Sequence, residues 1–197
     1  MIFVECCTYQ RKSEGKTIKK LYLIRHAKSS WEHGDLKDYE RGLSKRGLKD
    51  LEMIGSYLSL KKIRPDLILS SAALRAQLTA DILGEKIGYE GEYRYLEELY
   101  LTRPEMVLNV LSLQEPEVES LFLVGHNPAL SELANILQPE NFTKFPTLGV
   151  LALDLAIESW EEILEGCHGR IDYFIFPKQF RYYLPGQIRA TLSRGEG

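Results

Sequence analysis

The 197-residue sequence has only three cysteines. Two are adjacent, Cys6 and Cys7, and the third, Cys167, is far away, so they form neither a disulfide framework nor a Cys-x-x-Cys metal pattern. No apolar run approaches the ~20 residues that span a bilayer. The opening Met1-Ile2-Phe3-Val4-Glu5 lacks the basic start and long apolar middle of a signal peptide. A cytoplasmic protein is expected. A dominant charge is also missing: 25 Lys and Arg against 28 Asp and Glu leave a net charge of −3. That gives no basic field for nucleic acid, so an anionic ligand has to be met by a local cluster of cations. A Gly-x-x-x-x-Gly-Lys-Ser/Thr loop is absent, which excludes nucleotide hydrolysis of that kind. Neither His-x-x-x-His, His-Glu-x-x-His nor an Asp-rich loop is present, so no metal site or cofactor is expected. Internal repeats and low-complexity segments are lacking as well.

What is present suffices for one folded domain, because 44% of the residues are hydrophobic and this length can bury a full core. Residues 1–18 carry no clear period and include the polar run from Arg11 to Lys16, so they are read as a mobile extension, with an added edge strand from Ile2 to Cys7 as the alternative. Residues 19–197 are then a single domain. Leu21-Tyr22-Leu23-Ile24 reads as a short buried strand. Ser44 can cap a helix with apolar positions Leu48, Leu51, Ile54, Gly55 and Leu58. Asp66 to Ser71 is a second strand, followed by a helix with Leu74, Leu78 and Ile82 on one face. Gly88 to Arg103 looks irregular, aromatic and acidic together. Pro104 opens a third helix, and Ser120 to Gly125 is a third buried strand. A helix over Leu130 to Leu137, a strand from Gly149 to Leu155, a short helix from Ser159 to Leu164 and a strand from Arg170 to Phe176 complete the series. This alternation predicts an α/β fold, a mostly parallel sheet with helices on both faces.

Two strands end abruptly in chemistry. Ile24 runs into Arg25-His26, and Gly125 into His126-Asn127-Pro128. In open α/β sheets ligands bind outside the carboxyl ends of the strands, where these side chains stand. Arg75 begins the helix after the second strand. A cation is unfavourable against a helix N-terminus unless an anion compensates, and that N-terminus itself offers free N–H groups to an anion. Two arginines and two histidines at one rim suit a phosphoryl group, whose three equatorial oxygens need several fixed donors. A neutral imidazole is a competent nucleophile for phosphorus and needs no metal. His33 and His168 lie in polar, turn-like surroundings, and Lys28 and Lys45 read as surface charges.

The string Arg25-His26-Ala27-Lys28-Ser29-Ser30-Trp31 after a hydrophobic strand resembles the histidine phosphatase (phosphoglycerate mutase-like) superfamily, in particular its SixA-like phosphohistidine phosphatase branch. The resemblance covers roughly Lys20 to Pro177 and implies the three-layer fold of that family with one strand antiparallel. It also implies that His26 becomes phosphorylated in turnover and that Arg25, Arg75 and His126 hold the phosphoryl group. Arg41 lies in Asp38-Tyr39-Glu40-Arg41-Gly42-Leu43, similar to the family's Asp-x-x-Arg-Pro-Leu stretch with Gly42 in place of proline. Arg41 and Asn127 are accordingly expected to contact phosphate or substrate. Glu97 and Glu98 occupy the region where larger members place a proton donor, and solvated surface charge explains the pair equally well.

The expected activity is that of a metal-independent phosphatase, with a phosphohistidine on a partner protein as leading substrate. Hydrolysis of a small phosphate ester is the enzymatic alternative, and a weakly catalytic phosphoprotein-binding module the non-enzymatic one. Neither a nucleic-acid nor a membrane partner is expected.

Overall fold

A computed structural model describes residues 18–31 and 37–180. Of the extension expected over residues 1–18, all but Ile18 lies outside the described residues, as does His33. Six strands, β1 (Lys19–Arg25), β2 (Leu67–Ser71), β3 (Glu92–Leu96), β4 (Ser120–Gly125), β5 (Val150–Leu155) and β6 (Arg170–Ile175), form one sheet in the order β3-β2-β4-β1-β5-β6. β1, β2, β3 and β4 pair in parallel, and β5 is antiparallel to both β1 and β6. Four α-helices accompany them among the described residues: α1 (Lys45–Leu60), α2 (Leu74–Ile87), α3 (Pro104–Ser112) and α4 (Ala129–Leu137). The expected α/β architecture, including the single antiparallel strand, is what the chain adopts.

Alternation along the strands builds two cores. Leu21, Leu23, Leu121 and Leu123 face α3, α4 and the 3₁₀ turn Trp160–Glu165. Tyr22, Ile24, Phe122 and Val124 face α1 and α2. Both sets are essentially sealed from solvent, each large side chain contributing about 1.5–3 kcal/mol on burial. Local signals fix the helix ends. The Ser44 hydroxyl accepts from the Gly47 amide at 3.1 Å, Pro104 stands at the start of α3, and Gly88 ends α2 at φ 65°, a conformation that favours glycine.

Three expectations are corrected. The segment read as irregular contains β3, which among the described residues is an edge strand pairing only with β2. With one open edge it needs no apolar run, so its tyrosines and charges gave no strand pattern. The inward face of α2 is Ala76, Thr79, Ala80, Leu83 and Gly84 rather than Leu74, Leu78 and Ile82. Small residues let this helix lie close on the sheet, and Leu74 is left exposed. Leu48 likewise points outward from α1.

Candidate active site

Adjacent parallel strands in register place the two histidines side by side. Arg25 of β1 is opposite Gly125 of β4, and the ladder continues one residue further, the His26 amide donating to the Gly125 carbonyl at 3.0 Å. The rings of His26 and His126 lie 4.9 Å apart between centroids. Both residues are buried.

His26 Nδ1 is 2.7 Å from the Ala27 carbonyl. A carbonyl only accepts, so Nδ1 carries the proton and the Nε2 lone pair is free. His126 Nε2 is 2.9 Å from the Ser71 hydroxyl at the end of β2, and its Nδ1 is buried without a partner. A Ser71 hydroxyl donating to Nε2 leaves an Nδ1–H to offer to an anion. Burial, partly opposed by the Ala27 hydrogen bond and reinforced by the charges of Arg75 and Arg25, pushes His26 down to about 4. Burial first, then His26 and Arg75, pushes His126 down to about 3. Both imidazoles are therefore neutral at pH 7, although cations surround them.

Those cations are fixed by separate anchors. Arg25 Nη1 donates to the Phe145 carbonyl at 2.7 Å, and Asn127 Nδ2 donates to the same oxygen at 3.0 Å. Arg25 Nε and Asn127 Oδ1 are buried with no partner, so each has capacity to spare. Arg75, second residue of α2, is tied to the His26 loop through Thr79. The Thr79 hydroxyl donates to the Arg75 carbonyl at 2.6 Å and accepts from the Ala27 amide at 3.0 Å. Arg41 Nε donates to the Ser30 carbonyl at 3.0 Å and Nη2 to the Ser29 hydroxyl at 2.9 Å, and its guanidinium carbon lies 3.3 Å from the Trp31 ring centroid.

The structure thus brings together Arg25, His26, Arg75 and His126, with Arg41 and Asn127 at their margin. Glu97 and Glu98 are exposed on the 3₁₀ turn Glu97–Leu99. That turn buries Leu99 in the core, and the next residue, Tyr100, faces the site, its ring meeting the His126 ring edge-on at 5.7 Å. Lys28, Lys45 and His168 are exposed. Two participants escaped sequence reasoning. Asp38 ion-pairs with both Arg41 and Arg75 at 2.9 Å, and its position three residues before Arg41 was the available signal. Tyr100 had none beyond its place beside the acidic pair.

Residues 21–100 match the model of the histidine phosphatase superfamily, branch 1. An uncharacterized protein of Mycobacterium tuberculosis is 30% identical over 162 residues, covering 77% of this chain and 99% of the relative. The chain belongs to the histidine phosphatase superfamily. Its SixA-like character is seen in a crystal structure from Agrobacterium tumefaciens assigned as the phosphohistidine phosphatase SixA, 31% identical with a TM-score of 0.65, covering 80% of this chain and 97% of that one. A protein histidine phosphatase SixA complexed with tungstate shares the fold at a TM-score of 0.71 and 22% identity, covering 82% of this chain and 99% of the other. This superfamily member is a phosphatase. Among its described residues no group of three His, Cys, Asp or Glu side chains could hold a metal ion.

Proposed function

We propose that this phosphatase works through a phosphohistidine formed on His26 and that its substrate is a phosphohistidine carried by a partner protein. The observation that carries the first part is the neutral His26 ring, its Nε2 lone pair unengaged between His126 and two arginines. Nε2 attacks phosphorus while the bond to the leaving group breaks, and that bond's electron pair departs with the leaving nitrogen, whose ring has taken a proton from solvent water. Water then attacks the phosphoryl group on His26, releasing phosphate and restoring the imidazole. Arg25, Arg75 and the His126 Nδ1–H neutralise the charge on the equatorial oxygens, and Arg41 and Asn127 border the substrate.

Support for the second part comes from the acids. Glu97 and Glu98 face solvent. Partial burial raises the Asp38 carboxyl, but hydrogen bonds from Tyr100 and the Arg75 charge outweigh this and hold it below the usual carboxylate range. Asp38 is therefore ionised at neutral pH and a poor proton donor. An alkoxide leaving group needs such a donor, whereas an imidazole is basic enough to be protonated from water and, once protonated, is readily expelled. No inserted lid domain stands among the described residues, which suits a substrate borne on a protein.

The test compares kcat/KM for a phosphohistidine-bearing phosphocarrier domain with that for p-nitrophenyl phosphate and sugar phosphates. A preference of at least ~100-fold for phosphohistidine is expected, about 2.7 kcal/mol of transition-state discrimination. The His26→Ala variant is expected to lose turnover of every substrate. Efficient sugar-phosphate hydrolysis with phosphohistidine ignored would overturn the substrate assignment. Wild-type-like turnover by the variant would overturn the nucleophile.

A further inference from the structure

Asp38 opens the 3₁₀ turn Asp38–Glu40, and its side chain is 49% exposed, while those of its partners Arg75 and Arg41 are 7% and 8% exposed. Four side-chain donors converge on this one residue. Oδ2 accepts from Arg75 Nη2 and from the Tyr100 hydroxyl, each at 2.9 Å. Oδ1 accepts from Arg41 Nη1 at 2.9 Å, and the Asp38 main-chain carbonyl accepts from Arg75 Nη1 at 2.5 Å. Both terminal nitrogens of Arg75 are thus held by acceptors of a single residue, which fixes the plane of its guanidinium.

Fold stability does not account for this arrangement. Ion pairs to a carboxylate this exposed contribute little, because water screens them and the side chains lose entropy in pairing. Nor does anion attraction account for it. A carboxylate next to a phosphate pocket repels the ligand and lowers the positive potential that Arg41 and Arg75 create. The benefit left is orientation, because donors already aimed at the reacting group need not reorganise during the reaction.

We propose that Asp38 is a positioning residue for phosphoryl transfer. It sets the plane of Arg75 and the reach of Arg41 before the substrate arrives, accepting weaker ground-state attraction for the anion in return. This rests on reading the pocket as the phosphatase site and is independent of whether the leaving group is imidazole or alkoxide.

The two effects of Asp38 have opposite signs, which separates positioning from mere structural support. Asp38→Asn keeps the side chain's shape but turns an amide N–H toward one of the arginine or tyrosine donors. With whichever of p-nitrophenyl phosphate or the phosphohistidine carrier the wild type turns over, kcat is expected to fall ~30-fold or more, within the range that misplaced donors cost. Inhibition by inorganic phosphate is expected to be as strong as in the wild type or stronger. The melting temperature should stay within about 2 °C, as for other half-exposed substitutions. Asp38→Ala, which leaves the main-chain acceptor, is expected to behave the same way.

Unchanged kcat in both variants would overturn the proposal. So would phosphate inhibition weakening in step with kcat/KM, or a loss of several degrees in melting temperature, since each would make Asp38 ordinary scaffolding. A wild type that hydrolyses neither substrate would instead sink the functional reading itself.

Discussion

At the scale of single residues, the two histidines determine how the protein responds to acid. An exposed imidazole titrates near 6.5, but burial holds His26 neutral down to about 4 and His126 down to about 3. The activity consequence is that kcat/KM, which reports the free enzyme, should stay flat from about pH 8 to about pH 5.5 once substrate ionisation is allowed for. Its acid limb should centre near pH 4. A limb at 6.5 in the pH–rate profile would show that the nucleophile is ordinarily solvated. The stability consequence has a definite sign. Below pH 6.5 the unfolded chain takes up protons at these positions and the folded one does not, so this contribution is full above 6.5 and is lost as pH falls through the folded values. Arg25, His26, Arg75 and His126 were legible in the sequence because each follows a recognisable strand, and a strand end is where an α/β sheet meets a ligand. Asp38 and Tyr100 were not, because what defines them is convergence: they meet Arg75 from segments 37 and 25 residues away. Glu97 and Glu98 looked suitable by charge alone, while Tyr100, two positions past Glu98, reaches the site.

At the scale of elements, the first turn of α1 supports the loop that follows His26. Ser44 donates its amide and its hydroxyl to the Lys28 carbonyl, both at 2.9 Å, and a Cβ on Gly47 would lie 2.3 Å from that same oxygen. Helix propensity alone favours Gly47→Ala by about 1 kcal/mol. Here the backbone contact should dominate, with a net loss of about 1–3 kcal/mol by urea unfolding and a reduced kcat as the loop shifts. A stabilised, fully active Gly47→Ala variant would show that the loop yields freely. Elements with sealed strands or explicit caps were readable: β1, β2, β4 and α1 among them. β3 and the inward face of α2 were not. An edge strand has no second neighbour to demand apolar residues, and a helix seated on alanine and glycine hides its buried side behind flanking leucines.

At the scale of the whole molecule, the sheet separates two cores and collects the chemistry along one edge, where β1, β2 and β4 end. The overall α/β class followed from alternation alone, but the presence of one antiparallel strand came only through family resemblance, and the structure shows it to be β5, since a strand's sequence does not record which way its neighbours run. Because phosphoryl charge is met here by guanidiniums and imidazoles, turnover is expected to be unaffected by EDTA. A strict requirement for an added divalent ion in the same assay would contradict this. The central position of β1 has a further consequence. Its last residues are gripped from both sides: the His26 amide donates to Gly125, the Arg25 amide to Gly149 at 3.1 Å, and the Leu148 amide to the Arg25 carbonyl at 3.1 Å. In deuterated water the His26 amide should therefore be among the last to exchange, opening only when the sheet itself comes apart. On slow heating, the midpoint for lost activity should coincide with the midpoint for lost structure, with no folded but inactive species between them.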